Sequence, residues 1–205
     1  MIWFTSDTHF GHENVLGFCD RPWDAIQAMN DQLIDNINRL VAPDDTLYHL
    51  GDYSFKMTSA DAADLRKRIN CKDIHLIPGN HDKDWTQPAV SWAFKVEKPI
   101  CVLKVEKMKL VLSHYPIADW QGMAHGSIHL HGHIHTDGMK YNELNRMQGL
   151  YRYDVGVDAN SYQPVSLEEI VKWFDGVECN GRADWRNWVN ATGSKAVTRK
   201  LAGVR

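Results

Sequence analysis

Five polar clusters, each set directly behind a short apolar run, constrain this chain more than any other feature of its sequence. They are Asp7-Thr8-His9, Gly51-Asp52, Gly79-Asn80-His81-Asp82, Ser113-His114 and Gly132-His133-Ile134-His135. The runs before them, at 2–5, 46–50, 74–77, 109–112 and 128–130, have the length and apolar character of buried strands. In open α/β sheets, sites form in the crevice beyond the carboxyl ends of the strands, so loops far apart in sequence can converge. Taken singly, each cluster reads as an ordinary turn, because Asp and Gly favour turns. Even His133 and His135, which would share one face of a strand, could be a satisfied polar pair. Five clusters in order, each at an expected strand end, point instead to one shared site.

The donor types narrow the chemistry. Asp, His and Asn supply oxygen and nitrogen ligands that suit manganese, iron or zinc, whereas a thiolate site would favour softer metals. No cysteine lies in any cluster. Cys19, Cys71, Cys101 and Cys179 are scattered with no CxxC pair, which argues against a zinc knuckle or a disulfide framework and fits a reducing compartment. Gly51, Gly79 and Gly132 each stand immediately before a proposed site residue, where a missing Cβ permits unusual backbone angles or close approach to a ligand.

Between the strands, apolar positions recur at helical spacing over 24–41, with Asp24 as the expected N-cap, and a second helix is expected over 59–69. Strand, helix, strand, helix, strand predicts parallel pairing with right-handed crossovers, which brings three strand ends to one edge. The second half reads as β-rich: a hairpin of 100–105 and 109–112 around Glu106-Lys107, then strands at 128–130 and 151–157. Ser166 and Glu169 fit a capping box that opens a final helix through Phe174. A length of 205 residues favours one domain, assigned to 1–180. Residues 181–205 form a basic tail in which Arg182, Arg186, Lys195, Arg199, Lys200 and Arg205 face a single acid, Asp184. The formal net charge of -3 provides no general attraction for polyanions, so any nucleic-acid contact would be local. With neither a signal-peptide pattern nor an apolar stretch of spanning length, a cytoplasmic location away from membranes is expected.

These residues resemble the calcineurin-like metallophosphoesterase superfamily, whose blocks are Asp-Xaa-His, Gly-Asp, Gly-Asn-His-Asp or Glu, a lone His and Gly-His-Xaa-His. The likeness spans residues 3–174, and 5–12 together with Arg21-Pro22 is similar to small bacterial and phage-encoded members. It implies an α/β fold of two packed β-sheets flanked by helices, in αββα layers, in place of one sheet. Residue by residue, it makes Asp7, His9 and His135 ligands of one divalent ion and Asn80, His114 and His133 ligands of a second, with Asp52 bridging. His81 becomes the catalytic histidine, its imidazole oriented by Asp82. Manganese is the expected metal, with iron, zinc or nickel as alternatives. Two cations about 3.5 Å apart acidify a water and stabilise phosphoryl oxygens during in-line displacement.

Gly51-Asp52 continues as Tyr53-Ser54-Phe55-Lys56 and lacks the Arg-Gly block of protein phosphatases and diadenosine-polyphosphate hydrolases. The expected substrate is therefore a small phosphodiester or phosphomonoester, a nucleotide among the candidates. The alternative, a metal-binding scaffold without turnover, is disfavoured by His81. His12 and Arg21, in the loop after the first motif, are expected to contact substrate, because an arginine fork matches phosphate oxygens. Trp3, Trp92 and Trp173 are expected to fill the core, and His131 to support the metal shell.

Overall fold

The computed structural model describes residues 1–137 and 139–179; the basic tail expected at 181–205 lies outside the described residues. Strands β1 (Ile2–Thr5), β2 (Thr46–His49), β3 (Asp73–Leu76) and β4 (Lys95–Val96) pair in parallel in the order β4-β3-β2-β1. The two-residue strand β9 (Val165–Ser166) closes the other side of β1 antiparallel. A second sheet takes the order β5-β6-β7-β8, from β5 (Ile100–Val105), β6 (Met108–Ser113), β7 (Ile128–His131) and β8 (Arg152–Asp154). The expected hairpin is its one antiparallel pair; β6, β7 and β8 run parallel.

Alternation along the strands builds the layers. In β1, Trp3 faces a core formed with Met29, Leu33 and Ile37 of α2 (Ile26–Leu40) and Ala62 and Ala63 of α3 (Ser59–Lys67). Its neighbour Phe4 faces the opposite way, into a core shared with Leu110, Leu112 and Leu130 of the second sheet. In β6, Val111 turns outward from that core to meet Trp120, Met123 and Leu150. Two sheets thus pack face to face, with helices outside the first, and α5 (Leu167–Trp173) adds Ile170 to the inner core. Among the described residues, no helix is long and apolar enough to cross a membrane.

Local signals are met with small shifts. The capping box forms: Ser166 Oγ accepts the Glu169 N–H, and the Glu169 carboxylate accepts the Ser166 N–H. Helix α2 starts later than expected, because Ala25 is extended at φ -144 and leaves Asp24 outside the helix. Trp92 is 52% exposed and lies beside Lys67, and the buried tryptophan of this region is Trp85. Helices α1 (Val15–Phe18) and α4 (Met139–Met147) have no counterpart in the apolar pattern. For α4 the reason is chemical: it docks through amides. Buried Asn142 donates to the Asp154 carbonyl at 3.1 Å and accepts the Asp154 N–H at 2.8 Å, satisfying the outer edge of β8 as a further strand would.

Candidate metal centre

Parallel order sends the carboxyl ends of β1, β2 and β3 to one edge, and the loops beyond them stay paired. Asp7 N–H donates to Gly51 O, His9 N–H to Asp52 O and Phe10 N–H to Tyr53 O, at 2.9 to 3.0 Å. The second sheet joins this edge through Ser6 and Gly156, which form an isolated parallel bridge, and through Val157 N–H to Ser6 O at 3.0 Å. All five clusters meet there.

Two donor groups result. Asp7, His9 and His135 present ligand atoms within 4.8 Å of one another, as do Asp52, His114 and His133. Asp52 Oδ2 lies between the groups, 3.6 Å from His9 Nε2 and 3.4 Å from His114 Nε2. Asn80 Oδ1 is 3.0 Å from His114 Nε2. Each carboxylate has one oxygen tied to backbone: Asp7 Oδ2 accepts the His133 N–H and Asp52 Oδ1 accepts the His81 N–H, both at 2.9 Å. The imidazoles are aimed in the same manner. His114 Nδ1 bonds Leu50 O at 2.8 Å and His135 Nδ1 bonds Asp158 at 2.7 Å, which turns each Nε2 inward.

The backbone is held in sparsely populated conformations to do this. Asp7, His9, Asp52, His133 and His135 all have left-handed φ, between 43° and 73°, a conformation that costs non-glycine residues free energy and clusters at functional sites. Gly51 shares it at φ 94. Gly79 and Gly132 serve close approach instead: a Cβ would strike Asp52 Oδ1 at the first, and Asp7 Oδ2 and Ser6 Oγ at the second.

Electrostatics favour a cation. Burial pushes the Asp7 carboxyl up to about 7 and the His9 imidazole down to about 3. Against the upward push of burial, His114 and the His81 N–H hold Asp52 down at about 2. Asp7 Oδ1 and His9 Nε2 are buried polar atoms with no hydrogen-bond partner. A buried unpaired acceptor is costly, and a divalent ion would satisfy both. The donor set therefore fits the implied metals.

Two expected roles change. Arg21 does not face the site: it is 4% exposed, and its guanidinium donates to both oxygens of Asp158, to Thr8 O, to Asp7 O and to Met29 Sδ. With every N–H engaged, it braces the backbone of Asp7 and Thr8 and has no donor left for a phosphate. Asp82 does not orient His81 either; its oxygens accept backbone N–H groups of Asp52, Tyr53 and Gly79, which fastens the second and third loops together. His131, the last residue of β7, packs 5.3 Å from His129 and edge-on 5.6 Å from Tyr141 between centroids, with Nδ1 on the carbonyl of Gly132, next to His133. His81 is half-buried, its ring 4.3 Å from Phe55 and 5.6 Å from His9. His12 Nδ1 is 3.2 Å from His9 Nδ1.

Asp154 and Asp158 went unanticipated. Asp158 links Arg21 to His135, and Asp154 accepts from Thr136 Oγ1 at 2.7 Å beside the His135 loop. A signal was present, since 154–158 reads Asp-Val-Gly-Val-Asp from the last residue of β8 onward, a sixth polar cluster at a strand end. Cys19 also comes within 4.8 Å reach of His135 and Asp158, although its sequence neighbours form no motif.

Comparison with known proteins agrees with this geometry. The family model described as calcineurin-like phosphoesterase matches residues 1–189. An uncharacterized protein of Methanocaldococcus jannaschii is 33% identical over 176 residues, covering 85% of this chain and 91% of that one. The gene 66 protein of Mycobacterium phage L5 is 26% identical over 190 residues, covering 77% and 86%. Among solved structures, a protein of unknown function from Aquifex aeolicus superposes with a TM-score of 0.66 at 25% identity, over 84% of this chain and 98% of that one. With the strand-end clusters gathered on one sheet edge and the family match running through all of them, this chain belongs to the calcineurin-like phosphoesterase family.

Proposed function

We propose that the chain hydrolyses a small phosphodiester or phosphomonoester with the help of two divalent metal ions, manganese first, with iron, zinc or nickel as alternatives. The observation that carries this reading is the pair of donor groups with the Asp52 carboxylate between them. Asp7, His9 and His135 would hold one ion, and Asn80, His114 and His133 the other. When bound, such ions acidify water and neutralise charge on the phosphoryl oxygens.

The protein's own contribution is positioning. Leu50 O and Asp158 fix the tautomers of His114 and His135, and the paired loops keep Asp7 and Asp52 in register. His81 lies beside His9, braced on Phe55, where it can donate a proton or hydrogen bond to the departing ester oxygen. The test is metal analysis of the purified chain together with hydrolysis of bis-p-nitrophenyl phosphate and p-nitrophenyl phosphate. Two ions per chain with turnover of either ester supports the reading, and two ions with no turnover of any phosphoester supports the scaffold instead.

A further inference from the structure

Beside the metal ligands lies a hollow of about 400 Å³ that the chemistry itself does not need. His9, His135 and His81 form its inner wall, so a group filling it would be attached to whatever reacts there. The rest of its lining is largely apolar, from Val15, Phe18 and Phe55, with His12, Asn14, Cys19 and Lys56 among them. The rings lie close together: Phe55 is 4.5 Å from His12 and 4.3 Å from His81, and Phe18 is 6.3 Å from His12. Phe18 is 78% exposed, and it sits on the four-residue helix α1, which follows the first metal motif. An aromatic side chain held open to water beside a polar reaction centre is suited to covering a ring that arrives with the substrate.

Size and charge narrow the occupant. The volume is at the small end of ligand pockets, enough for one flat ring system and too small for a folded polymer. The Lys56 ammonium, 5.7 Å from the Phe55 ring, brings positive charge to the mouth, where an anionic ester would enter. A phosphate carrying a hydrophilic sugar or a glycerol arm would leave these rings unused. We propose that the hollow receives one aromatic ester substituent of nucleobase size, so that the preferred substrates are phosphoesters of nucleoside dimensions and Phe18 and Phe55 determine that preference. This inference rests on the phosphoesterase reading above.

The test separates the two. Manganese-loaded protein is assayed on p-nitrophenyl phenyl phosphate and on p-nitrophenyl methyl phosphate, which share a leaving group and differ only in the arm that stays. Catalytic efficiency should be about tenfold or more higher for the phenyl ester, in line with the worth of stacking one ring on an aromatic side chain. Phe18→Ala should erase most of that ratio. Phe18 is chosen because its exposure makes removal harmless to folding, whereas Phe55→Ala would also release His81. As a readout independent of turnover, calorimetry should show thymidine 5′-monophosphate binding at least fivefold tighter than ribose 5-phosphate, with the difference lost in Phe18→Ala. Equal affinity for thymidine 5′-monophosphate and ribose 5-phosphate, or a preference untouched by Phe18→Ala, would overturn the inference and leave the phosphoesterase reading standing. No hydrolysis of these two esters, of bis-p-nitrophenyl phosphate or of p-nitrophenyl phosphate would overturn both.

Discussion

The Nδ1–H of His135 donates to a carboxylate oxygen of Asp158 over 2.7 Å, and the same carboxylate receives two N–H groups of Arg21 at 2.8 Å. The arrangement turns His135 Nε2 toward Asp7 and links a candidate metal ligand to a buried cation. Asp158→Asn removes the charge and weakens the acceptor while preserving shape. The expected outcome is a tenfold to hundredfold lower affinity for the ion on the Asp7, His9 and His135 side, the usual scale for partners of ligating histidines. Titration of metal-stripped protein measures it, and an unaltered affinity would show that His135 is oriented by other contacts.

Arg21→Ala should act through folding. The side chain of Arg21 is fully buried against a carboxylate that is 8% exposed, and removing one partner of such a pair leaves an uncompensated charge at a cost of about 3 to 5 kcal/mol. Denaturant unfolding of the metal-stripped variant should show a loss of this order. Efficiency on a diester and a monoester should fall in proportion. A loss confined to one ester at unchanged stability would instead return the guanidinium to the substrate.

Asp52→Asn is expected to empty both positions together. Its Oδ2 lies within 3.6 Å of both His9 Nε2 and His114 Nε2, whereas its Oδ1 is occupied by the His81 N–H. An amide offers only one acceptor and no charge. Elemental analysis should show fewer than two ions per chain and little turnover. Two firmly held ions in this variant would rule out the bridging position.

For His81→Ala the pattern reverses. The ring contacts Phe55 and His9 and stands outside both donor groups, so metal content should be retained. Turnover should drop about a hundredfold to ten-thousandfold, the range of a general acid. The loss should be smallest for esters with good leaving groups such as p-nitrophenolate, because these need no proton. Parallel loss of metal and activity would place His81 among the ligands.

Acid should destabilise the protein through His129, among other groups. Burial lowers its pKa to about 4, and in the neutral ring Nδ1 donates to Val111 O while Nε2 accepts the Ile117 N–H. The unfolded chain takes up a proton near pH 6.5 and the folded chain does not until about pH 4. The stabilisation is therefore complete above pH 6.5 and is lost progressively as pH falls toward 4, at up to about 1.4 kcal/mol per pH unit. Unfolding of metal-stripped wild type and His129→Gln across this window should give slopes that differ by nearly one proton. Identical slopes would mean that His129 is protonated in the fold.

Much of this molecule was decided locally. Short apolar runs located β1, β2, β3, the β5–β6 hairpin and β7, and the Ser166 and Glu169 capping box appears where its two residues are spaced for it. The seven expected metal ligands meet because each stands at the carboxyl end of a strand whose direction follows from the strand and helix order. What only the tertiary structure decided concerns partners that no local pattern encodes. Arg21 and Asp158 are 137 residues apart, and nothing near Arg21 in sequence distinguishes an arginine that binds phosphate from one folded under a loop. Asp82 clasps the backbone of Asp52 and Tyr53 from another loop, and helix α4 docks through the amide of Asn142 with no apolar stripe. Hydrophobic periodicity records which face of an element is buried. Which polar group waits on the other side is settled only when the sheets stack and each buried donor must find an acceptor.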